Sequence, residues 1–209
     1  MDLKARTENM RQFFNRKIDT YDEVHEKFLE TKALLASSLP EGTKKVLDLG
    51  VGTGLELTYL FERFPEAEVT GIDVSEEMIE ALKCKSFGSK VTCILGDFFE
   101  TVFGSGYDAA ISTSALHHFD IESKIRLYKK VYDSLREGGM FINSDYISKT
   151  DEEEENVFEW YRLEHENRPH IDTPLTSEHE KEALLAAGFR EVTVSPTALD
   201  NYRLFVAVK

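Results

Sequence analysis

Three glycines at positions 50, 52 and 54 alternate with Val51 and Thr53, directly after the run Lys45-Val46-Leu47-Asp48-Leu49. This spacing suits a ligand-binding turn. A residue without a Cβ lets the chain reverse sharply and lets a ligand approach main-chain N–H groups. The helical pattern that opens at Leu55 would add the unpaired N–H donors of a helix N-terminus. Two carboxylates flank the turn: Asp48, two residues before Gly50, and Asp73, at the end of the run Glu68-Val69-Thr70-Gly71-Ile72. A third candidate group is the pair His117-His118, which follows Tyr107-Asp108-Ala109-Ala110-Ile111-Ser112. An unperturbed imidazole titrates near ~6.5, so either histidine can act as a general base at neutral pH. Against that stands ordinary packing or capping of a loop.

A dinucleotide turn is the obvious competitor. Its G-x-G-x-x-G spacing needs a glycine where this chain has Leu55. A carboxylate at Asp48 would repel a pyrophosphate and would suit a ligand carrying an ammonium group. Asp73 at a strand end accepts hydrogen bonds from ribose hydroxyls, which fits either ligand. The two acids together favour a cationic nucleoside. An NAD-dependent dehydrogenase is the alternative, and nicotinamide binding would be its signature.

The elements that must hold these residues alternate. Strands are expected at 45–49, 68–72, 91–95, 107–112 and 140–145. A helix follows the glycines, with Leu57, Leu60, Phe61 and Phe64 on one face. Another is capped by Ser75, with Glu76 and Glu77 in its first turn. A third runs from about Ile121 to Leu135 and is expected to stop at Gly138-Gly139. Successive βα units predict a parallel sheet covered by helices on both faces. Only Ser195 to Tyr202 separates the last two apolar runs, too short for a helical crossover, so those strands should pair antiparallel. Two helices are expected over 2–39, the second from about Asp19.

These motifs, in this order, resemble the class I S-adenosylmethionine-dependent methyltransferases, of the small bacterial and archaeal type. Val46 to Gly54 matches the family's first motif; Gly71-Ile72-Asp73-Val74-Ser75 with Met78-Ile79 resembles its second acidic loop. Gly96-Asp97-Phe98 is similar to the third-strand loop, where Asp97 would receive the adenine amine and Phe98 would lie against the ring. Tyr107 through Ser112 to Ser114-Ala115-Leu116-His117-His118 resembles the fourth motif, and Leu135 to Gly139 the turn before the fifth strand. The resemblance implies a Rossmann-like seven-stranded α/β sheet, order 3-2-1-4-5-7-6, with the last strand antiparallel. It implies S-adenosyl-L-methionine as the methyl donor. The donor residues would be Asp48, Gly50, Gly52, Gly54, Asp73, Val74, Met78, Asp97, Phe98, Ser112 and Leu116. Tyr21 would belong to an N-terminal lid. The tail from His170-Ile171-Asp172-Thr173-Pro174 to Phe189 resembles a subgroup whose substrates are mostly unassigned.

Size and charge narrow the acceptor. The 209 residues are read as one domain: a helical lid over 1–40, a donor-binding core over 41–149, an inserted helix over 150–175 and a closing helix and hairpin over 176–209. Asp plus Glu number 39 against 25 Lys plus Arg, a formal net charge of -14. Such a surface repels phosphate backbones, so a small-molecule acceptor is expected and nucleic acid is not. A tRNA- or protein-modifying methyltransferase would need a basic rim, to which Arg11, Arg16, Lys17 and Arg162 are the available contributors. A donor-binding regulatory module without turnover would keep the same motifs. Trp160 and Tyr161 are candidates for an aromatic wall of the acceptor pocket, set against plain core packing. His165, His170, Asp172 and His179 match no standard zinc spacing, so no metal is expected; Asp172 and Thr173 are assigned to a turn before Pro174. Cys84 and Cys93 form neither a disulfide framework nor a metal knuckle. The first residues lack the apolar run of a signal peptide and no stretch is long enough to span a bilayer, so a cytoplasmic protein is expected. The N-terminal helices or the insertion leave room for a homodimer contact.

Overall fold

The computed structural model describes residues 3–164 and 170–209, with side chains described over 7–163 and 170–209. His165 lies outside them. The centre of the molecule is β1 (Lys45–Leu49), whose residues from Val46 onward are all buried. It pairs in parallel with β2 (Glu68–Asp73) on one side and β4 (Tyr107–Thr113) on the other. A strand covered on both faces reads as a continuous apolar run, which is why Val46-Leu47 and Ala109-Ala110-Ile111 do not alternate with polar residues. β3 (Val91–Leu95) joins beyond β2, and β5 (Leu135–Tyr146) joins beyond β4. β7 (Tyr202–Val208) pairs antiparallel with both β5 and β6 (Glu191–Pro196). The order is 3-2-1-4-5-7-6, as the resemblance implies, and the short hairpin ends it.

Helices fill both faces. On one, α3 (Leu29–Ser37) packs with α4 (Leu55–Arg63) over Val46, Val69 and Ile111, burying Leu35, Leu57 and Leu60 completely. On the other, α6 (Ile121–Ser134) and α8 (Ser177–Ala186) bury Leu127, Val131 and Leu184 over Leu47 and Phe141. α5 (Glu76–Lys83) follows β2; Ser75 caps it by accepting from Met78 N, as expected. α1 (Leu3–Asn15), α2 (Ile18–His25) and α7 (Asp151–Glu164) complete the set.

Two boundaries differ from expectation. The second N-terminal helix is broken into α2, a 3-10 turn at Glu26–Phe28, and α3. Neither α2 nor the turn buries a residue fully, and Val24 is exposed. These residues border a cavity instead of a core, so packing does not enforce one straight helix. Second, α6 stops at Ser134, before the glycine pair. The chain enters β5 at once, and the register jumps from Tyr107↔Leu135 to Ala109↔Met140. Gly138, at φ 71, supplies that irregularity. A Cβ on Gly139 would lie 2.9 Å from Arg136 O and 3.1 Å from Tyr107 O.

Candidate active site

The carboxyl ends of β1, β2, β3 and β4 open together, where ligands bind in open parallel sheets. A cleft lies there. Its floor is the glycine turn. Gly50 and Gly52 hold φ 76 and 51, and a Cβ on Gly50 would come within 2.5 Å of Ala115 Cβ. The turn is tied to β2 through Asp73, whose Oδ2 accepts from Gly52 N (2.8 Å) and whose Oδ1 accepts from Ser75 N (2.9 Å). Burial pushes the Asp73 carboxyl up to about 6 against these backbone donors.

Of the residues expected from sequence, Tyr21, Gly50, Gly52, Asp73, Val74, Met78, Asp97, Phe98 and His118 line this cleft. Asp97 Oδ1 accepts from Phe99 N (2.6 Å), and its Oδ2 accepts from Thr7 of α1. The other four stand behind the wall. Gly54, at φ 72, begins α4. Ser112 Oγ donates to Leu49 O (2.8 Å), pinning β4 to β1. Leu116 is fully buried, and its N donates to Asp145 Oδ2 (2.9 Å). Asp48 is fully buried and neither carboxylate oxygen has a hydrogen-bond partner.

Asp48 belongs to a charged cluster that sequence reasoning did not find. Lys32 Nζ lies 2.6 Å from Glu56 Oε2 and donates to Thr113 Oγ1 (2.9 Å); all three are buried. One ammonium thus serves two carboxylates. Burial first, and then Glu56, drive the Asp48 pKa well above the usual carboxylate range.

A second, partly open cavity adjoins the cleft. The two share Phe14, Tyr21, Ser114 and His118. Ser114, with φ 54, is the only non-glycine residue with positive φ among the described residues, and it sits at this seam. The chamber's walls are Phe13, Phe28 and Tyr202, with His25, His117 and His170. Tyr21 stacks on His25 at 3.9 Å, and Phe13 on His170 at 4.3 Å.

Both catalytic candidates therefore reach the chamber, and each is held from behind. His117 Nδ1 lies 2.6 Å from Asp145 Oδ1, at the end of β5. Its Nε2 points toward Asp172 Oδ1 at 3.6 Å. Burial works to lower the His117 pKa, but Asp145 and Asp172 outweigh it and the net shift is upward. His118 Nδ1 lies 3.1 Å from Ile171 O and 3.0 Å from Asp172 Oδ1. Burial, aided by neighbouring His117, pushes His118 down to about 4. Thr173 N donates to His117 O (2.6 Å), so the segment around Asp172 is laced to the histidine loop.

Trp160 and Tyr161 stand elsewhere. They line a separate, open groove with Tyr146 and Asp172, edge to face at 4.8 Å. His179 is also apart, with Nδ1 2.9 Å from Glu154 Oε1. Asp145, Tyr202 and the Phe13-Phe14 pair were not singled out as site residues, and Asp172 was assigned to a turn after being weighed as a metal ligand. Only Asp145 carried a usable signal: an acid at the carboxyl end of a predicted central strand.

Comparison with known proteins agrees with this architecture. A family described as a methyltransferase domain matches residues 46–139. Carboxy-S-adenosyl-L-methionine synthase of Nautilia profundicola is 30% identical over 182 residues, covering 79% of this chain and 77% of its own. Malonyl-[acyl-carrier protein] O-methyltransferase of Priestia megaterium is 33% identical over 108 residues, 52% of this chain and 39% of its own. Among solved structures, human N-acetylserotonin methyltransferase in complex with S-adenosylmethionine superposes with a TM-score of 0.71 at 22% identity. It covers 94% of this chain, which spans 55% of that larger one.

Proposed function

Because this chain belongs to the class I S-adenosylmethionine-dependent methyltransferases, we propose that it methylates a small molecule whose nucleophile meets His117 and His118 in the chamber beside the donor cleft. The observation that carries this reading is the seam. A cleft built on the glycine turn and Asp73 runs directly into an aromatic chamber containing histidines, through Phe14, Tyr21, Ser114 and His118. In-line displacement needs two adjoining sites with the reacting atoms aligned, an effect worth up to ~7–11 kcal/mol in well-oriented reactions.

S-adenosylmethionine, when bound, supplies an already activated methyl carbon. The protein's part is to bind, orient and exclude water. Asp73 offers its remaining lone pairs to ribose hydroxyls. Asp97 and Phe98 meet the adenine end. Phe14 and Tyr21 keep water from the seam. His117, oriented by Asp145, and His118 face the nucleophile and activate an O–H or N–H there.

Charge supports a small acceptor. Two of the four cations available for a basic rim are neutralised on their own helices: Arg11 by Glu8 (2.5 Å) and Arg162 by Glu159 (3.3 Å). Lys17 lines the chamber. The names of the relatives above divide between donor carboxylation and O-methylation, so a second reading is that the product is a carboxylated donor. Calorimetry with S-adenosylhomocysteine tests the donor site. Incubation with labelled donor and a metabolite extract, read by mass spectrometry, then separates a methylated acceptor from a modified donor. Absence of S-adenosylhomocysteine binding would overturn the first reading and the second alike.

A further inference from the structure

We propose that His117, His118 and Asp172 form a site for one divalent transition-metal ion of the zinc class, with an open position facing the chamber. The ion's role toward the acceptor rests on the function proposed above; its binding does not.

Asp172 Oδ1 is buried and accepts no well-aligned hydrogen bond. Yet three imidazole nitrogens surround it: His118 Nδ1 at 3.0 Å, His170 Nε2 at 3.4 Å and His117 Nε2 at 3.6 Å. The nitrogens converge on this oxygen, and only His118 lies at ordinary hydrogen-bonding distance. His117 sharpens the point. Its Nδ1 is committed to Asp145, a carboxylate that only accepts. The neutral ring then turns a lone pair from Nε2 toward another carboxylate oxygen. A proton on Nε2 or a metal ion can fill that gap, and three nitrogens converging on one oxygen favour the metal. Imidazole backed by a carboxylate on its far nitrogen is also how ligating histidines are oriented and made more basic.

The dimensions agree. Ligand atoms ~2.0–2.1 Å from a tetrahedral ion lie about 3.3 Å from one another. The distances from Asp172 Oδ1 bracket that value, and one ligand atom from each of His117, His118 and Asp172 fits within 4.8 Å of the others. Charge agrees as well, since a dication meets the carboxylates of buried Asp145 and part-exposed Asp172. Two imidazoles and a carboxylate suit zinc, iron or cobalt, whereas magnesium and calcium prefer all-oxygen sets. His118 would exchange its contact with Ile171 O for the ion.

Three protein ligands leave one position for an exogenous oxygen, as at catalytic zinc. Both histidines line the chamber while Asp172 lines the groove beside it, and the open position is assigned to the chamber side. The favoured acceptor class is accordingly one that presents a hydroxyl. On the ion its O–H proton is released to water, and the oxygen forms its bond to the methyl carbon as the sulfonium S–C bond breaks.

The test uses the full chain, stripped with EDTA and titrated with ZnCl2 by calorimetry and with CoCl2 by visible absorption. One equivalent of each is expected, with the d–d bands of low-coordinate cobalt. Asp172→Asn and His117→Ala should each weaken binding at least tenfold, and Asp145→Asn by roughly 10–100-fold. His179→Ala, at a remote histidine, should change nothing. Failure to bind one equivalent, or binding that survives Asp172→Asn, overturns the proposal. If His117→Ala does not fold by circular dichroism, the near-isosteric Asp172→Asn still decides. Parallel calorimetry with S-adenosylhomocysteine keeps the two readings separate: metal without donor binding sinks the function, and donor without metal binding sinks the ion.

Discussion

Removing the Asp73 carboxylate should abolish tight donor binding, and the size of the loss can be worked from its surroundings. One backbone N–H already occupies each oxygen, from Gly52 and from Ser75. A carboxylate has about four lone-pair sites, so about two remain for ribose hydroxyls. Hydrogen bonds to a charged group contribute ~1.5–3 kcal/mol each, so Asp73→Ala should lose about 3 kcal/mol or more, on the order of 100-fold in affinity. Calorimetry with S-adenosylhomocysteine reads this directly. A pH series adds an independent arm. Burial raises Asp73 to about 6 in the donor-free protein. Ribose hydroxyls bind the ionised form, so below that pH binding must expel a proton. Affinity should be flat above about pH 7 and roughly tenfold lower at about pH 5. For folding the sign is opposite. A carboxyl whose folded pKa is raised contributes stability that is full below its unfolded value and lost as pH rises through about 6. A folded Asp73→Ala that binds within about threefold of the parent would refute the reasoning, as would a parent whose affinity does not change between these pH values.

Gly50→Ala forces a Cβ to 2.5 Å from Ala115 Cβ at φ 76, so donor affinity should fall at least tenfold in calorimetry. Lys32→Met leaves Glu56 buried without its cation; the expected loss is about 3–5 kcal/mol, roughly 6–20 °C in Tm, with recovery in Lys32→Met/Glu56→Leu. A Tm change below about 2 °C would show that the pair is not buried as described. Trp160→Ala should leave donor affinity unchanged, because its groove is separate from the cleft; a loss there would join the two.

The donor half of the site was legible because its rules are local. A turn at φ above zero demands glycine, so Gly50, Gly52 and Gly54 mark themselves. Strand ends are visible as apolar runs that stop, which exposes Asp48, Asp73 and Asp97. The chamber has no such signature. Asp172 meets His117 across 55 positions of sequence, and Tyr202 meets Phe28 through the antiparallel return of β7. Those contacts exist only once the sheet order is set, and no spacing announces them. Trp160 and Tyr161 drew attention by residue type, while Phe13 and Phe14 looked like one more amphipathic helix face. Lys32 and Glu56 sit within helical periods and read as surface charges; only the packing of α3 on α4 buries them.

One element serves both halves. Along α1, Thr7 donates to Asp97, Met10 and Phe14 line the cleft, Phe13 stacks on His170, and Asn15 Oδ1 accepts from Ser75 Oγ (2.7 Å). Only Met10 among its described side chains is buried. The helix is therefore held by the site more than by the core, and such elements belong to the low-stability end of a fold. Thr7 also donates to Asp97 Oδ2, an oxygen that the adenine amine would share under the proposed function, so donor binding and the resting position of α1 would meet at one carboxylate. Because Phe13 on the same helix supports His170, a shift of α1 for the donor is felt in the chamber. Donor and acceptor sites would then be coupled through this helix.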